Sequence, residues 1–132
     1  MTIEENKLLL KQAFKAIFEH EVVDEKTIAA FFSKDYRQWV DGHELDYQDF
    51  IQHIQAQKKR VATVSIDFKS MIAENDKVAT VHLIDAITRE GAPVRGKVIA
   101  QFTIKNKKIV ACEELTFLHE AQEKDKDLGS AR

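Results

Sequence analysis

The chain has 132 residues, with 20 lysines and arginines against 22 aspartates and glutamates, for a formal charge of −2. That balance fits one globular domain and lacks the basic surplus that nucleic-acid binding needs. Hydrophobic residues at 44% and charged residues at 32% are ordinary for a packed domain, which sets aside a disordered chain, a collagen repeat and a membrane span.

Thr2 and Glu5 have capping-box spacing, and Leu10, Ala13, Phe14, Ile17 and Phe18 then recur on one face, so a helix is expected to about His20. Asp24 can cap a second, shorter helix carrying Ile28, Phe31 and Phe32, interrupted at Ser33-Lys34-Asp35. Tyr36 to Val40 reads as a short strand, and Asp41-Gly42 as a tight turn at its end. Asp46 can cap a third helix with Tyr47, Phe50, Ile51 and Ile54 at helical spacing, and Lys58, Lys59 and Arg60 suit the negative end of its dipole.

From Thr63 the period changes to two: Val64, Ile66 and Phe68 alternate with Ser65, Asp67 and Lys69. Turn clusters at Glu74-Asn75-Asp76-Lys77, Glu90-Gly91-Ala92-Pro93 and Lys105-Asn106-Lys107 divide residues 63 to 118 into four strands of an antiparallel meander. Two of them, Val78 to Thr88 and Val94 to Ile104, are apolar on both faces, so one face is expected to meet the helices and the other a second copy of the chain. After residue 118 the apolar period stops, and 119–132 reads as a solvated, mobile tail on a single domain of residues 1–118. The lone cysteine, Cys112, and the polar first residues argue against disulfides and a signal peptide, so a cytoplasmic location is expected.

Three helices with a small hairpin before the third, then four long strands, resemble the nuclear transport factor 2-like superfamily, and within it the SnoaL-like proteins. The resemblance covers nearly the whole chain. It is carried by Tyr36-Arg37-Gln38-Trp39-Val40-Asp41-Gly42, by Asn75-Asp76-Lys77-Val78-Ala79 and by Asn106-Lys107-Lys108-Ile109-Val110. Glu113-Glu114-Leu115-Thr116 and the ending Asp127-Leu128-Gly129-Ser130 are similar to a bacterial SnoaL-like subgroup with no assigned reaction. The resemblance implies an α+β cone of cystatin-like type, in which a strongly curved antiparallel sheet wraps the helices around a conical pocket.

Several residues are then candidates for chemistry. In the ketosteroid-isomerase relatives the proton-shuttling aspartate lies in the region of Asp41, although Asp-Gly at a hairpin tip is also plain turn chemistry. The phenol and second acid of that isomerase pattern have no counterpart, because the corresponding regions offer Phe14, Phe18 and Ile99. His82 is the polar exception in an apolar strand and reads either as a pocket proton carrier or as a satisfied core histidine. Glu113 and Glu114 must point to opposite faces. If Ile109 packs inward and the strand is regular, Glu113 shares its face; a bulge reverses this. SnoaL-like cyclases are similar in placing an acid/base carboxylate late in the chain. Tyr36, Gln38 and Trp39 lie near the expected mouth, and Gln101 could bind a carbonyl or sit at an interface. His53, at the border of its helix's apolar stripe, reads as surface.

The histidines at 20, 43, 53, 82 and 119 show no paired ligand spacing, and there is no glycine-rich phosphate loop or nucleophile elbow. No metal and no cofactor are expected, and no nucleic-acid or membrane partner. The expected function is binding of a small, largely apolar molecule bearing a carbonyl or hydroxyl, with cofactor-independent proton transfer, isomerisation, cyclisation or hydrolysis by a pocket carboxylate. The alternative is a non-catalytic homodimeric ligand-binding or protein-interaction module.

Overall fold

The computed structural model describes residues 2–20 and 22–129. Helix α1 (Ile3–Ile17) opens on the expected capping box, with Glu5 N donating to Thr2 Oγ1 at 3.1 Å and Thr2 N to the Glu5 carboxylate at 3.0 Å. It ends at Phe18 as its C-cap, short of His20. Helix α2 (Glu25–Phe31) is capped by Asp24, and α3 (Tyr47–Arg60) by a reciprocal Asp46–Asp49 box. Strand β1 (Phe32–Val40) begins directly after α2, four residues before the expected start at Tyr36, and β2 (His43–Leu45) folds back on it. Asp41 and Gly42 both have positive φ, 51° and 86°, the backbone that Asp-Gly favours in a two-residue hairpin.

The meander follows as β3 (Val61–Glu74), β4 (Lys77–Thr88), β5 (Pro93–Lys105) and β6 (Lys108–Glu120). The six strands form one sheet in the order β2-β1-β6-β5-β4-β3. Neighbours run antiparallel except at one junction, where β1 lies parallel to β6. The fold is therefore the expected α+β cone, but its sheet is mixed and not wholly antiparallel as expected, because β1 joins β6 in parallel. Its bending is local: register steps leave Ala62 and Lys69 unpaired against β4, and Val110 and His119 unpaired against β5. Each extra residue kinks its strand and increases the twist.

The concave face packs on the helices. Leu10, Phe14 and Ile17 of α1 and Phe50 and Ile54 of α3 join Val98, Phe102 and Ile109 of the sheet in the main core. The convex face carries Ile99, Leu115 and Phe117 at 59%, 68% and 67% exposure.

The segment expected as a solvated tail from residue 119 first continues β6 to Glu120. It then makes a short 3-10 turn (Glu123–Asp125) and packs Leu128 against Ala86 and Val94. Arg60 donates to Lys124 O at 2.7 Å and to Asp127 Oδ1 at 3.0 Å. Isolated contacts such as these hold the segment, and none of them produces a periodicity. Residues 130–132 of that tail lie outside the described residues.

Candidate functional site

Alternation along β1 turns Tyr36 and Gln38 into the cone, where they are almost fully buried, and turns Arg37 and Trp39 out. On β6 the extra residue Val110 decides the orientation. Ile109 faces in; beyond the bulge Cys112, Glu114 and Thr116 also face in, and Glu113 is exposed. Without Val110 the glutamates would exchange places.

Three side chains from two strands form a relay. The Tyr36 hydroxyl donates to Gln38 Oε1 at 2.6 Å, and Gln38 Nε2 donates to Glu114 Oε1 at 2.8 Å. Tyr36 is fixed by ring contacts with Phe32 and Phe50 at 4.8 Å each. Burial, reinforced by the nearby Asp41 carboxylate, pushes the Glu114 carboxyl up to about 8. The same burial raises the Tyr36 hydroxyl and the Cys112 thiol well above their usual values. At neutral pH Glu114 is therefore largely a neutral acid, with its base form within reach.

Asp41 stands behind this carboxyl. Its Oδ1 accepts from Thr116 N at 2.6 Å, and its own N–H donates to Glu114 O at 3.1 Å. These bonds staple the hairpin tip to β6, and Asp41 acts on Glu114 through its charge.

His82 lies two strands away from Glu114, on β4, 2% exposed. Its Nδ1 is 3.0 Å from Thr80 Oγ1. The rings of Phe14 and Phe68 flank it at 5.2 Å each, and this desolvation pulls its pKa down to about 4. His82 is thus a neutral imidazole at pH 7, able to donate or accept but not a charge.

Glu114 and His82 line one inner chamber of about 70 Å³, which phenylalanines narrow without filling. It adjoins a wider, mainly apolar outer chamber of about 440 Å³, and the two share Phe18, Gln57, Ile66, Ile84, Thr116 and Gly129. Lys58 at the outer rim donates to Phe18 O at 2.9 Å and to His20 O, closing the end of α1; burial lowers its pKa.

Of the sequence candidates, Tyr36, Gln38, His82 and Glu114 meet in the inner chamber, and Asp41 lies just behind it. Trp39, Gln101 and Glu113 do not reach it: they form one cross-strand row on the convex face, since Glu113 is paired with both others. The pleat, with the Val110 bulge, puts all three on the wrong side for a ligand in the cone. His53 corrects the surface reading, being buried and lining the inner chamber. Phe50, His53 and Gln57 are three and four residues apart on α3, a spacing that already places Gln57 and His53 on the core face. Thr116 was missed because its parity depends on the same bulge. Among the described residues no group of three His, Cys, Asp or Glu could hold a metal ion, and no helix is long and apolar enough to cross a membrane.

Residues 11–112 match a family model described as a SnoaL-like domain. An uncharacterized protein of Schizosaccharomyces pombe is 34% identical over 129 residues, covering 98% of both chains. That relative is fungal, and the likeness it shows is to the family of SnoaL-like domains as a whole. An NTF2-like protein from Burkholderia xenovorans superposes with a TM-score of 0.69 at 15% identity, over 89% of this chain and 92% of that one. An LEH-like epoxide hydrolase from M. tuberculosis does so with a TM-score of 0.69 at 15% identity, over 87% and 84%. At such identities the two solved structures share the fold.

Proposed function

Because the chain belongs to the family of SnoaL-like domains, we propose that its cone takes a small, largely apolar molecule bearing a carbonyl or hydroxyl and that Glu114 moves a proton on it without a cofactor. The observation that carries this reading is a desolvated carboxyl, poised at about 8 and oriented by Gln38 and Tyr36, lining a chamber walled mainly by apolar side chains. General acid–base groups work best with a pKa near the working pH.

In the proton-transfer form, the Glu114 carboxylate takes a proton from the carbon beside the carbonyl, and the electron pair moves onto the carbonyl oxygen. If Thr80 donates to Nδ1, His82 presents Nε2–H to that oxygen and stabilises the enolate by a hydrogen bond. Glu114 then returns the proton to carbon. In a hydrolytic form, protonated Glu114 gives its proton to an epoxide oxygen as water adds to a ring carbon and the carbon–oxygen bond breaks, and the carboxylate recovers a proton from that water to leave a diol; an LEH-like epoxide hydrolase has a similar fold. Cys112, buried and free, fits work in a reducing compartment such as the cytoplasm.

The test is exchange of the hydrogens beside the carbonyl of simple methyl and cyclic ketones in deuterated water, followed by proton NMR. Wild-type exchange should rise with pH through about 8, and Glu114→Gln should slow it by roughly 100-fold or more, while Glu113→Gln leaves it unchanged. Full activity in Glu114→Gln would refute the mechanism.

A second reading, a homodimeric interaction module, is favoured by the exposed apolar side chains Ile99, Leu115 and Phe117 on the convex face. The two readings use opposite faces of the sheet and are compatible.

A further inference from the structure

The segment 123–129 contributes Leu128 and Gly129 to the wall of the outer chamber, and the proton-transfer reading leaves it without a role. Leu128 lines that chamber at 5% exposure, and Gly129 borders both chambers. Gly129 sits so close to the hairpin tip that a β-carbon there would lie 2.8 Å from both Asp41 Oδ2 and Thr116 Oγ1. The wall is tied to the roof by α3: Gln57 Nε2 donates to Leu128 O at 3.0 Å, and Arg60 donates to Lys124 O at 2.7 Å, Asp127 Oδ1 at 3.0 Å and Asp125 Oδ1 at 3.3 Å. Lys124 also pairs with Glu90 across the β4–β5 turn.

We propose that Leu128 sets the length of apolar ligand that the cavity accepts, and that Arg60 holds it in that position. The inference rests on the apolar-ligand reading of the cavity and adds a specificity-determining residue to it. A ligand whose carbonyl reaches Glu114 and His82 extends its apolar part outward past Ile66 and Ile84, and Leu128 forms part of the wall of the chamber that this part enters. Truncating that side chain opens room for several methylenes, and enlarging it removes room. Arg60 is the natural tether, because one guanidinium at the end of α3 engages Lys124, Asp125 and Asp127 of the segment, and a planar fork loses little freedom per bond.

The test is displacement of the neutral fluorophore N-phenylnaphthylamine by a series of straight-chain methyl ketones. In the wild-type chain affinity should tighten about fourfold per buried methylene and then level off. Leu128→Ala should move the levelling point to longer ketones, and Leu128→Trp to shorter ones. A levelling point at the same chain length in all three overturns the inference while leaving the apolar-ligand reading intact. A wild-type chain that binds neither fluorophore nor ketone overturns that reading and the inference with it. Independently of any ligand, Arg60→Met should speed amide exchange at Leu128 at least tenfold without changing exchange in β5. Unchanged exchange at Leu128 overturns the tethering role.

Discussion

Glu114 is held by a neutral amide, and this choice of partner sets its chemistry. An arginine in place of Gln38 would have pinned the carboxylate in its charged form; a carboxamide orients it while leaving burial to raise the pKa. The relay behind it should be measurable. Tyr36→Phe strips the donor from Gln38 Oε1 in a buried site, and should lower unfolding stability in urea by about 1–3 kcal/mol. Asp41→Asn keeps an oxygen for Thr116 N–H and tolerates the positive φ, but removes the negative charge that raises Glu114. A carbon-13 NMR titration of Glu114 should then find its midpoint displaced from about 8 toward the ordinary carboxylate range. An unmoved midpoint would show that burial alone sets it.

Among the elements, β4, β5 and β6 present two faces with different tasks. Their convex rows align Val81 with Ile99 and Leu115, and Leu83 with Lys97 and Phe117. An exposed apolar patch of this kind on central strands marks an interaction surface. Sedimentation at micromolar concentration should therefore show a dimer, and Ile99→Lys should return it to a monomer with little change in melting temperature. A monomeric wild-type chain would remove the dimer proposal. The elements themselves were legible from the sequence, because Thr2, Asp24 and Asp46 start helices by side-chain chemistry that three or four letters express, and Asp41-Gly42 and Lys105-Asn106-Lys107 end strands in the same way. Tyr36, Gln38 and Trp39 are expected together near the mouth, whereas strand alternation sends Tyr36 and Gln38 into the inner chamber and Trp39 to the convex face. The choice between Glu113 and Glu114 was not legible, because it turns on Val110, which looks like any other strand residue and is skipped in the pairing with both β5 and β1. The packing of Leu128 was equally hidden, since its partners Ala86 and Val94 lie more than thirty residues away on two other strands.

At the scale of the whole molecule, Glu114 and His82 pull stability in opposite directions with pH. Glu114 holds its proton more tightly folded than unfolded, so its contribution is complete below 4.5 and is lost as pH rises to about 8. His82 holds its proton less tightly when folded, so its contribution is present above 6.5 and is lost as pH falls to about 4. Between 4.5 and 6.5 the two slopes nearly cancel; between 6.5 and 8 only that of Glu114 remains, and stability should fall by about 2 kcal/mol. Denaturant unfolding at the two ends of that window should show the decline in the wild-type chain and none in Glu114→Gln. The parallel junction of β1 with β6 also bears on the order of folding. Gln38 and Glu114 are 76 positions apart, and α3 and the strands β2 to β5 lie in the chain between the two strands that bring them together. Closure of so long a loop is entropically late. The meander from β3 to β6 should thus gain protection in pulse-labelled exchange before β1 does, so that burial of the Glu114 carboxyl belongs to the final docking step, and a chain stalled before that step would hold an exposed glutamate with an ordinary carboxylate pKa and no relay.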